Sequence, residues 1–211
     1  MQIISTNIAQ PTTFTWMGEQ ITTGIYKKPT KKPIYLSKNG VVGDEVSDKE
    51  AHGDTFKACY MFSEDCYPYW KNLYPHLEWD YGMFGENLTV KGFDETKVFV
   101  GNIYKLGSAL VEITQPREPC FKFGYKFGSQ HVLKQFIKHG RPGTYLRVVE
   151  AGYVSVGDTF NLIETAKNSL TVSELTELIY AKNKDQNLLS KIEHNEAIPI
   201  KKRMDLLNYN L

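Results

Sequence analysis

Short stretches rich in β-branched and aromatic residues dominate the first three quarters of the chain. They include QITTGIYKKP, FKACYMF, NLTVKGF and ALVEITQP, and the last two alternate apolar and polar residues at a period of two. Such alternation is typical of half-buried β-strands, whereas FKACYMF is short and apolar enough for a buried strand. The pattern predicts that residues 1 to about 165 form a mainly β domain.

Two similar stretches recur within this β-rich part. VFVGNIYKL (98–106) and VSVGDTFNL (154–162) share Val-x-Val-Gly, then Asn or Asp, then an aromatic residue and a leucine at equal spacing. Gly followed by Asn or Asp tolerates positive φ, so each copy predicts a tight turn that enters a strand whose alternate residues face a core. Because there are only two copies, they indicate a turn–strand motif used twice in a barrel or sheet and not a solenoid repeat.

Two helices are predicted to interrupt the strands. SEDCYPYWKNLYPHL has Ser63 as a candidate N-cap and Pro68 in its first turn. SQHVLKQFIKHG carries apolar residues on one face and ends at Gly140. We expect both helices to cover barrel openings or sheet edges.

After residue 165 the pattern becomes helical. TVSELTELIYAKNK begins with a capping box of Thr171 and Glu174, and two further helices are predicted to begin at Asp185 and at Pro199. Short helices bury little surface alone, so we expect residues 166–211 to form a three-helix unit packed against the main domain, residues 1–165. DNA binding by this unit is disfavoured, because the only basic cluster is at 201–203.

Composition narrows the function classes. The 25 basic and 24 acidic side chains give a net charge of +1, so no overall field favours nucleic acid or an anionic membrane as a partner. The start, MQIISTNIAQ, lacks the features of a signal peptide, and the apolar runs are too short to span a membrane, so we expect a cytoplasmic protein. Three cysteines without a CxxC pair argue against a disulfide framework, a zinc ribbon and a cysteine-ligated iron–sulfur cluster.

One cysteine lies in an unusually stiff segment, QPREPCFKFGY (115–125). Pro116 and Pro119 fix the backbone on either side of Arg117, and a guanidinium near Cys120 favours the thiolate form. A thiolate suits a nucleophile or a ligand for a soft metal. From these residues alone, an inert buried cysteine is an equally good interpretation.

Other candidate residues have ordinary explanations beside the functional ones. His52 and Lys57 fit a loop and a solvated strand end, and Glu86 and Asn87 fit a loop with capped backbone groups. Lys27 lies in a basic loop that would ordinarily be a soluble edge. Each side chain also has the donors or acceptors that a polar or phosphorylated ligand needs.

Taken together, these segments resemble a known family. GVVGDEVSDKEAHGDTFKACYMF, FGENLTV, VFVGNIYKLGSALVEITQPREPCFKFGY and VSVGDTFNLIE occur in the order and spacing of the MOSC domain, named for the C-terminus of the molybdenum cofactor sulfurase. The last three helices resemble the three-α extension of its YiiM-like bacterial members. The resemblance covers nearly the whole chain and implies an α+β, mainly β fold, a MOSC-type β-barrel with covering helices and a small C-terminal three-helix unit.

The resemblance also implies a cleft for the molybdenum cofactor (Mo-molybdopterin), with Cys120 as the protein's ligand to molybdenum. By position, the polar residues around the cleft are His52, Lys57, Asn87 and Arg117, and a weaker match to the segment TGIxK adds Thr23, Gly24 and Lys27. The chain departs from the family pattern at Asp54, where the family has a second glycine after HG. A carboxylate at this position would crowd or repel an anionic ligand.

The function implied by the resemblance is reduction of N-hydroxylated small molecules such as hydroxylamino purines. His52 or Glu86 would supply protons, and electrons would come from a separate reductase. The alternative is a non-redox module in which Cys120 carries sulfur or the domain delivers cofactor. We expect no nucleic-acid or membrane partner, and a homodimer is one possible assembly.

Overall fold

The structure is a computed structural model that describes residues 1–44 and 55–208. Within these residues the strands are β1 (Gln2–Ile8), β2 (Thr12–Trp16), β3 (Glu19–Thr23), β4 (Lys28–Thr30), β5 (Ile34–Ser37), β6 (Gly40–Val41), β7 (Cys59–Ser63), β8 (Leu88–Lys91), β9 (Ile103–Leu106), β10 (Ala109–Pro116), β11 (Thr144–Glu150), β12 (Gly152–Val154) and β13 (Asn161–Glu164). The α-helices are α1 (Tyr67–Leu73), α2 (Phe121–Lys126), α3 (His131–His139), α4 (Val172–Tyr180), α5 (Gln186–Ile192) and α6 (Ile200–Leu207). None of these helices is long and apolar enough to cross a membrane.

Eight strands form one mixed sheet in the order β13-β9-β10-β11-β7-β8-β1-β4. Neighbours are antiparallel except β7 and β8, which are parallel and are joined by a crossover through α1. The sheet curls, so that Ile3 on β1 exchanges backbone hydrogen bonds with Gly157 and Asp158 ahead of β13, at 2.8 and 2.9 Å. The result is a half-barrel with six described helices, which confirms the predicted α+β, mainly β fold.

The central strand β7 separates two hydrophobic clusters because its side chains alternate between the faces of the sheet. Cys59 and Met61 enter the larger cluster inside the half-barrel. Tyr60 and Phe62 enter a second, largely aromatic cluster beneath α1, α2 and α3. The candidate site lies with the second cluster.

The hairpin of β2 and β3 forms a two-stranded sheet of its own. Met17 and Gly18 make its turn with φ of 50° and 90°. Positive φ at both central residues is the conformation of a tight hairpin turn. In the two recurring Val-Gly stretches the turns are as predicted, since Gly101 and Gly157 have φ of 92° and 95°. The strand after the first, β9, alternates in burial, but β13 after the second is exposed throughout, so the expectation that its alternate residues face a core is wrong.

The two helices predicted in the β-rich part are present. α3 ends at Gly140, which is left-handed as expected of a C-cap. Ser63 occupies the N-cap position of a short 3-10 turn, Glu64–Cys66, that leads into α1. Its hydroxyl caps nothing, because it donates to the carbonyl oxygen of Phe93 at 3.0 Å.

The C-terminal helices also follow the prediction closely. Thr171 and Glu174 form the capping box of α4, and Asp185 caps α5. Both predicted starts are early by one residue, because Asp185 and Pro199 lie at the N-caps and the helices begin at Gln186 and Ile200. Buried residues of all three helices belong to the same cluster as the sheet, so the unit packs against the main domain as expected. The boundary at residue 165 stays a prediction.

The sequence analysis missed α2, which begins immediately after Cys120. Its sequence, FKFGYK, has one glycine and three aromatic residues and therefore weak helical propensity. Phe123 belongs to the second cluster and Gly124 is also buried, so tertiary packing stabilises this short helix.

Candidate functional site

Three chain segments meet above the aromatic cluster: residues 23–27, 82–87 and 116–126. Gly82 approaches the first segment so closely that an added Cβ would lie 2.7 Å from the carbonyl oxygen of Lys27. The segments 23–27 and 82–87 are therefore in close contact, and no larger residue fits at position 82 without a shift.

Glu86 organises the loop 82–87 from within. Its carboxylate is fully buried and accepts hydrogen bonds from the amides of Gly82 and Phe84, at 2.9 and 3.0 Å. It also accepts from the hydroxyls of Thr89, at 2.8 Å, and of Tyr67. Both carboxylate oxygens accept hydrogen bonds from the protein itself. This geometry favours a structural role for Glu86, as an anchor of the loop, over a role as proton donor.

Arg117 is buried and holds the same loop from the other side. Its Nη1 donates to the carbonyl oxygen of Phe84, and its guanidinium lies over the rings of Phe123, Tyr60 and Phe136, at 4.9, 5.1 and 5.9 Å from their centroids. Cation–π contacts of this kind position a guanidinium without neutralising it. Within residues 1–44 and 55–208, Arg117 forms no ion pair with a carboxylate.

Cys120 differs from the other two cysteines in its exposure. It is partly exposed at the N-cap position of α2, whereas Cys59 and Cys66 are buried. Burial raises the pKa of the Cys59 thiol and raises that of Cys66 to about 12, so both are inert. Burial alone would lower the pKa of Arg117, but the neighbouring groups Tyr60, Tyr145 and Cys120 raise it. Cys120 follows Arg117 by three residues, so the guanidinium and this accessible thiol lie in the same segment.

Lys27 and Asn87 meet at Asp44. Lys27 forms an ion pair with the Asp44 carboxylate, and Asn87 Nδ2 donates to the same oxygen at 2.8 Å. Asp44 Oδ1 accepts from the amide of Ala9 at 2.7 Å. Lys27 is buried, so its ordinary interpretation as a solvated edge residue is wrong. Asp44 is a site residue that the sequence analysis did not identify.

The remaining predicted residues are distributed around this centre. Thr23 is buried and its hydroxyl accepts from the amide of Ile25 at 3.2 Å, with Gly24 between them. Lys57 lies in a 3-10 turn, with Nζ 5.8 Å from the ring centroid of Tyr145. His52 and Asp54 lie outside the described residues.

Lys126 is a second residue that sequence reasoning missed. Its Nζ donates to the carbonyl oxygens of Ile25 and Gly82, at 2.9 and 3.0 Å, so one ammonium connects two of the three segments. Burial lowers its pKa to about 7, and the nearby charges of Arg117 and Lys27 act in the same direction. Lys126 faces the site because α2 places it on the same side as Phe123, three residues earlier, and the sequence analysis did not predict this helix.

Comparisons with known proteins identify the family. A family model, the MOSC domain, matches residues 48–161. The chain belongs to the MOSC family. MOSC domains are a family that binds the molybdenum cofactor.

Several relatives of this MOSC chain have printed names. It is 36% identical over 178 residues to a protein named "Reductase" from Gibberella moniliformis, covering 83% of this chain but 32% of that protein. It is 32% identical to "Uncharacterized protein YflK" from Bacillus subtilis, covering 93% and 88% of the two chains. It is 31% identical to "Protein YiiM" from Escherichia coli, covering 67% and 63%. The chain thus spans about a third of the fungal relative and under two thirds of YiiM.

A solved structure shows the same fold over the whole chain. YiiM from Geobacillus stearothermophilus superposes with a TM-score of 0.81 at 27% identity, covering 99% of this chain and 98% of that one. The three C-terminal helices are therefore part of the shared architecture.

The described residues of this MOSC chain fit an anionic cofactor with a soft metal. Lys27 and Arg117 bring two cations to the site and Lys126 adds an amine whose pKa is about 7, against the carboxylates of Asp44 and Glu86. A buried guanidinium without a carboxylate partner is stabilised by an anionic ligand. Cys120 offers the accessible sulfur that molybdenum, as a thiophilic metal, requires.

Proposed function

We propose that this MOSC protein is a reductase of N-hydroxylated small molecules that works with the molybdenum cofactor. The observation that carries the proposal is that the accessible Cys120 lies three residues after Arg117, a buried guanidinium that has no carboxylate partner among the described residues. The name of the fungal relative, "Reductase", agrees with this activity but does not carry the proposal.

Each residue has a distinct role in this proposal. Cys120 provides the sulfur ligand to the metal, and Arg117 stabilises the anionic groups of the cofactor. Lys57 and Asn87 add donors, while Lys27 is held by Asp44 and shapes the wall. His52, outside the described residues, remains the proposed proton donor, because the oxygens of Glu86 are already used by the loop.

The proposed net reaction is R-NHOH + 2 e⁻ + 2 H⁺ → R-NH₂ + H₂O. The bound cofactor supplies the two-electron oxygen-acceptor chemistry. The protein binds and orients the hydroxylamine, excludes bulk water and delivers protons. We propose a separate flavin or iron–sulfur reductase as the electron donor, because the chain has too few cysteines for a cluster of its own.

Metal content and turnover test the proposal together. Protein made in a molybdopterin-competent host should contain molybdenum and reduce 6-hydroxylaminopurine when an artificial electron donor is present. Cys120→Ser should lose most of the metal and activity, whereas Cys66→Ser, at a buried thiol, serves as the matched control and should keep both. Absence of both metal and turnover in protein with Cys120 intact would refute the function.

The exposure of Cys120 also favours a second candidate, a sulfur-carrier or cofactor-delivery module. A partly exposed thiol beside a guanidinium can hold a persulfide. Mass spectrometry separates the candidates, since a sulfur adduct on Cys120 without molybdenum would favour the carrier. A cytoplasmic location, a homodimer, and the lack of nucleic-acid and membrane partners remain predictions.

A further inference from the structure

A cavity of about 390 Å³ lies between the main sheet and the C-terminal three-helix unit. Its lining comes from β10, from the loop before β9, from the loop between β13 and α4, and from the end of α5 with the residues that follow it. A cavity of this volume is large enough to hold a small organic ligand. None of its described lining residues belongs to the segments 23–27, 82–87 and 116–126, so the cavity is separate from the candidate site.

Close contacts and hydrogen bonds hold the walls of the cavity in place. A Cβ added at Gly101 would lie 3.1 Å from the Cβ of Ala166, so these two residues are packed closely. The amide of Ala166 donates to Asn102 Oδ1 at 2.9 Å. Asn195 Nδ2 donates to Ser169 Oγ at 2.8 Å and joins the loop after α5 to the loop before α4. The cavity is therefore preformed, and little ordering of the protein would oppose binding.

Glu112 is the one buried ionisable residue in the described lining, at 7% exposure. Its Oε2 is enclosed and lies 2.5 Å from Nη2 of Arg147, but it accepts no well-aligned hydrogen bond from the described residues. Burial raises the pKa of Glu112, Arg147 lowers it, and the carboxylates of Glu164 and Glu196 raise it further. Arg147 thus only partly offsets the cost of burying this carboxylate beside two others. A second positive donor at the other oxygen, Oε1, would stabilise it.

The other charged residues of the lining lie at the rim of the cavity. Lys167 and His194 are exposed, and Lys191 is partly exposed. Lys167 forms no ion pair within the described residues, and Lys191 lies 4.0 Å from Glu174. These three side chains can donate to an anionic group, against one rim carboxylate, that of Glu196. The cavity therefore has an acidic interior and a mainly basic rim.

We propose that this cavity binds a small zwitterion, whose ammonium group reaches the Glu112 carboxylate and whose own carboxylate lies among Lys167, Lys191 and His194. A compact cavity of this volume is roughly 9 Å across, which suits an ω-amino carboxylate of about four to six carbons. Each end of such a ligand forms charge-assisted hydrogen bonds, whereas a simple amine or a simple acid satisfies one end only. The site is independent of the reaction proposed at Cys120.

NMR titrations of ¹⁵N-labelled full-length protein test the site with three matched probes. 6-Aminohexanoate carries both charges, hexylamine only the positive one and hexanoate only the negative one. The zwitterion should bind about tenfold more tightly than either analogue, because a hydrogen bond to a charged group changes affinity by at least about that factor. It should shift the amide signals of Gly101, Ala166 and Asn195 at the cavity. Equal affinity for the three probes, no binding, or shifts confined to other parts of the chain would overturn the proposal.

Two variants assign the two ends of the ligand. Glu112→Gln keeps the shape but removes the charge, so 6-aminohexanoate should bind about as weakly as hexanoate. Lys167→Met should weaken binding of hexanoate and 6-aminohexanoate several-fold but not that of hexylamine. Lys182→Met is the matched control, because Lys182 is exposed and does not line the cavity, and it should change none of the three affinities.

The exposed position of Lys167 keeps the test decisive even if Glu112→Gln does not fold. Lys167→Met protein that binds all three probes as the wild type does would overturn the proposed orientation. Neither variant alters a residue proposed to act in the reaction at Cys120, so reductase turnover and zwitterion binding succeed or fail separately.

Discussion

Lys126 should make the stability of the cofactor-free protein depend on pH. Its ammonium joins the carbonyl oxygens of Ile25 and Gly82, and burial lowers its pKa from 10.5 to about 7. Between those two values the unfolded chain carries a proton on Lys126 that the folded chain does not. Because the unfolded state binds more protons, this group makes stability rise with pH across that window.

The size of the effect follows from the shift. One pKa unit corresponds to about 1.4 kcal/mol, so keeping Lys126 charged below pH 7 costs the folded protein up to about 5 kcal/mol. About half of that cost has been relieved at pH 9. Lys126→Met removes the titration, so the free energy of unfolding of the variant relative to wild type should fall by about 2.5 kcal/mol from pH 6.5 to pH 9. The lost hydrogen bonds to the two carbonyls add a constant that does not vary with pH.

Urea unfolding of cofactor-free protein at the two pH values measures this difference. Lys134→Met, at an exposed position of α3, is the matched control and should differ from wild type by the same amount at both pH values. A pH-independent difference for Lys126→Met would show that its ammonium is solvated, and the description of Lys126 as a buried link between two segments would be wrong.

Three further predictions concern the supports of the site and the C-terminal unit. Glu86→Gln puts a donor against amide and hydroxyl donors, so it should cost about 2–3 kcal/mol and lower Tm by about 5–10 °C in calorimetry. Gly82→Ala should destabilise more than Gly92→Ala in urea unfolding, because both have positive φ but only the former meets the Lys27 backbone; equal costs would contradict this close contact. Thr171→Ala removes the N-cap of α4 and should cost about 1 kcal/mol, whereas no loss would mean that packing alone defines the helix start.

Local sequence patterns predicted those parts of the fold that depend on local interactions. The capping box at Thr171 and Glu174, the end of α3 at Gly140 and the turns at Gly101 and Gly157 each depend on a few neighbouring residues. Such signals are visible without tertiary structure. The order of strands and the separation of the hairpin from the main sheet depend on distant contacts and were not predicted from local pattern.

The sequence analysis chose Lys27, Asn87 and Arg117 as candidates, and the structure places them around the loop 82–87, but their contacts were not predicted. Asp44 gave no sequence pattern that would assign it to Lys27 and Asn87, because the ion pair forms across a long stretch of chain. No local pattern distinguishes Lys126 from the other lysines, because its contact with Gly82 depends on the helix α2. Glu86 was identified from the sequence, but only its four hydrogen bonds distinguish an anchor from an acid.

The N-terminal strand has consequences for biosynthesis. β1 can pair with β4 soon after both are synthesised. The other edge of β1 pairs with β8, and Met1 and Ile3 bond to the backbone of residues 157–160, which are synthesised much later. During translation the first strand therefore emerges long before its last partners do. The half-barrel cannot close until most of the chain has left the ribosome, so the apolar residues of β1 depend on protection from aggregation until then.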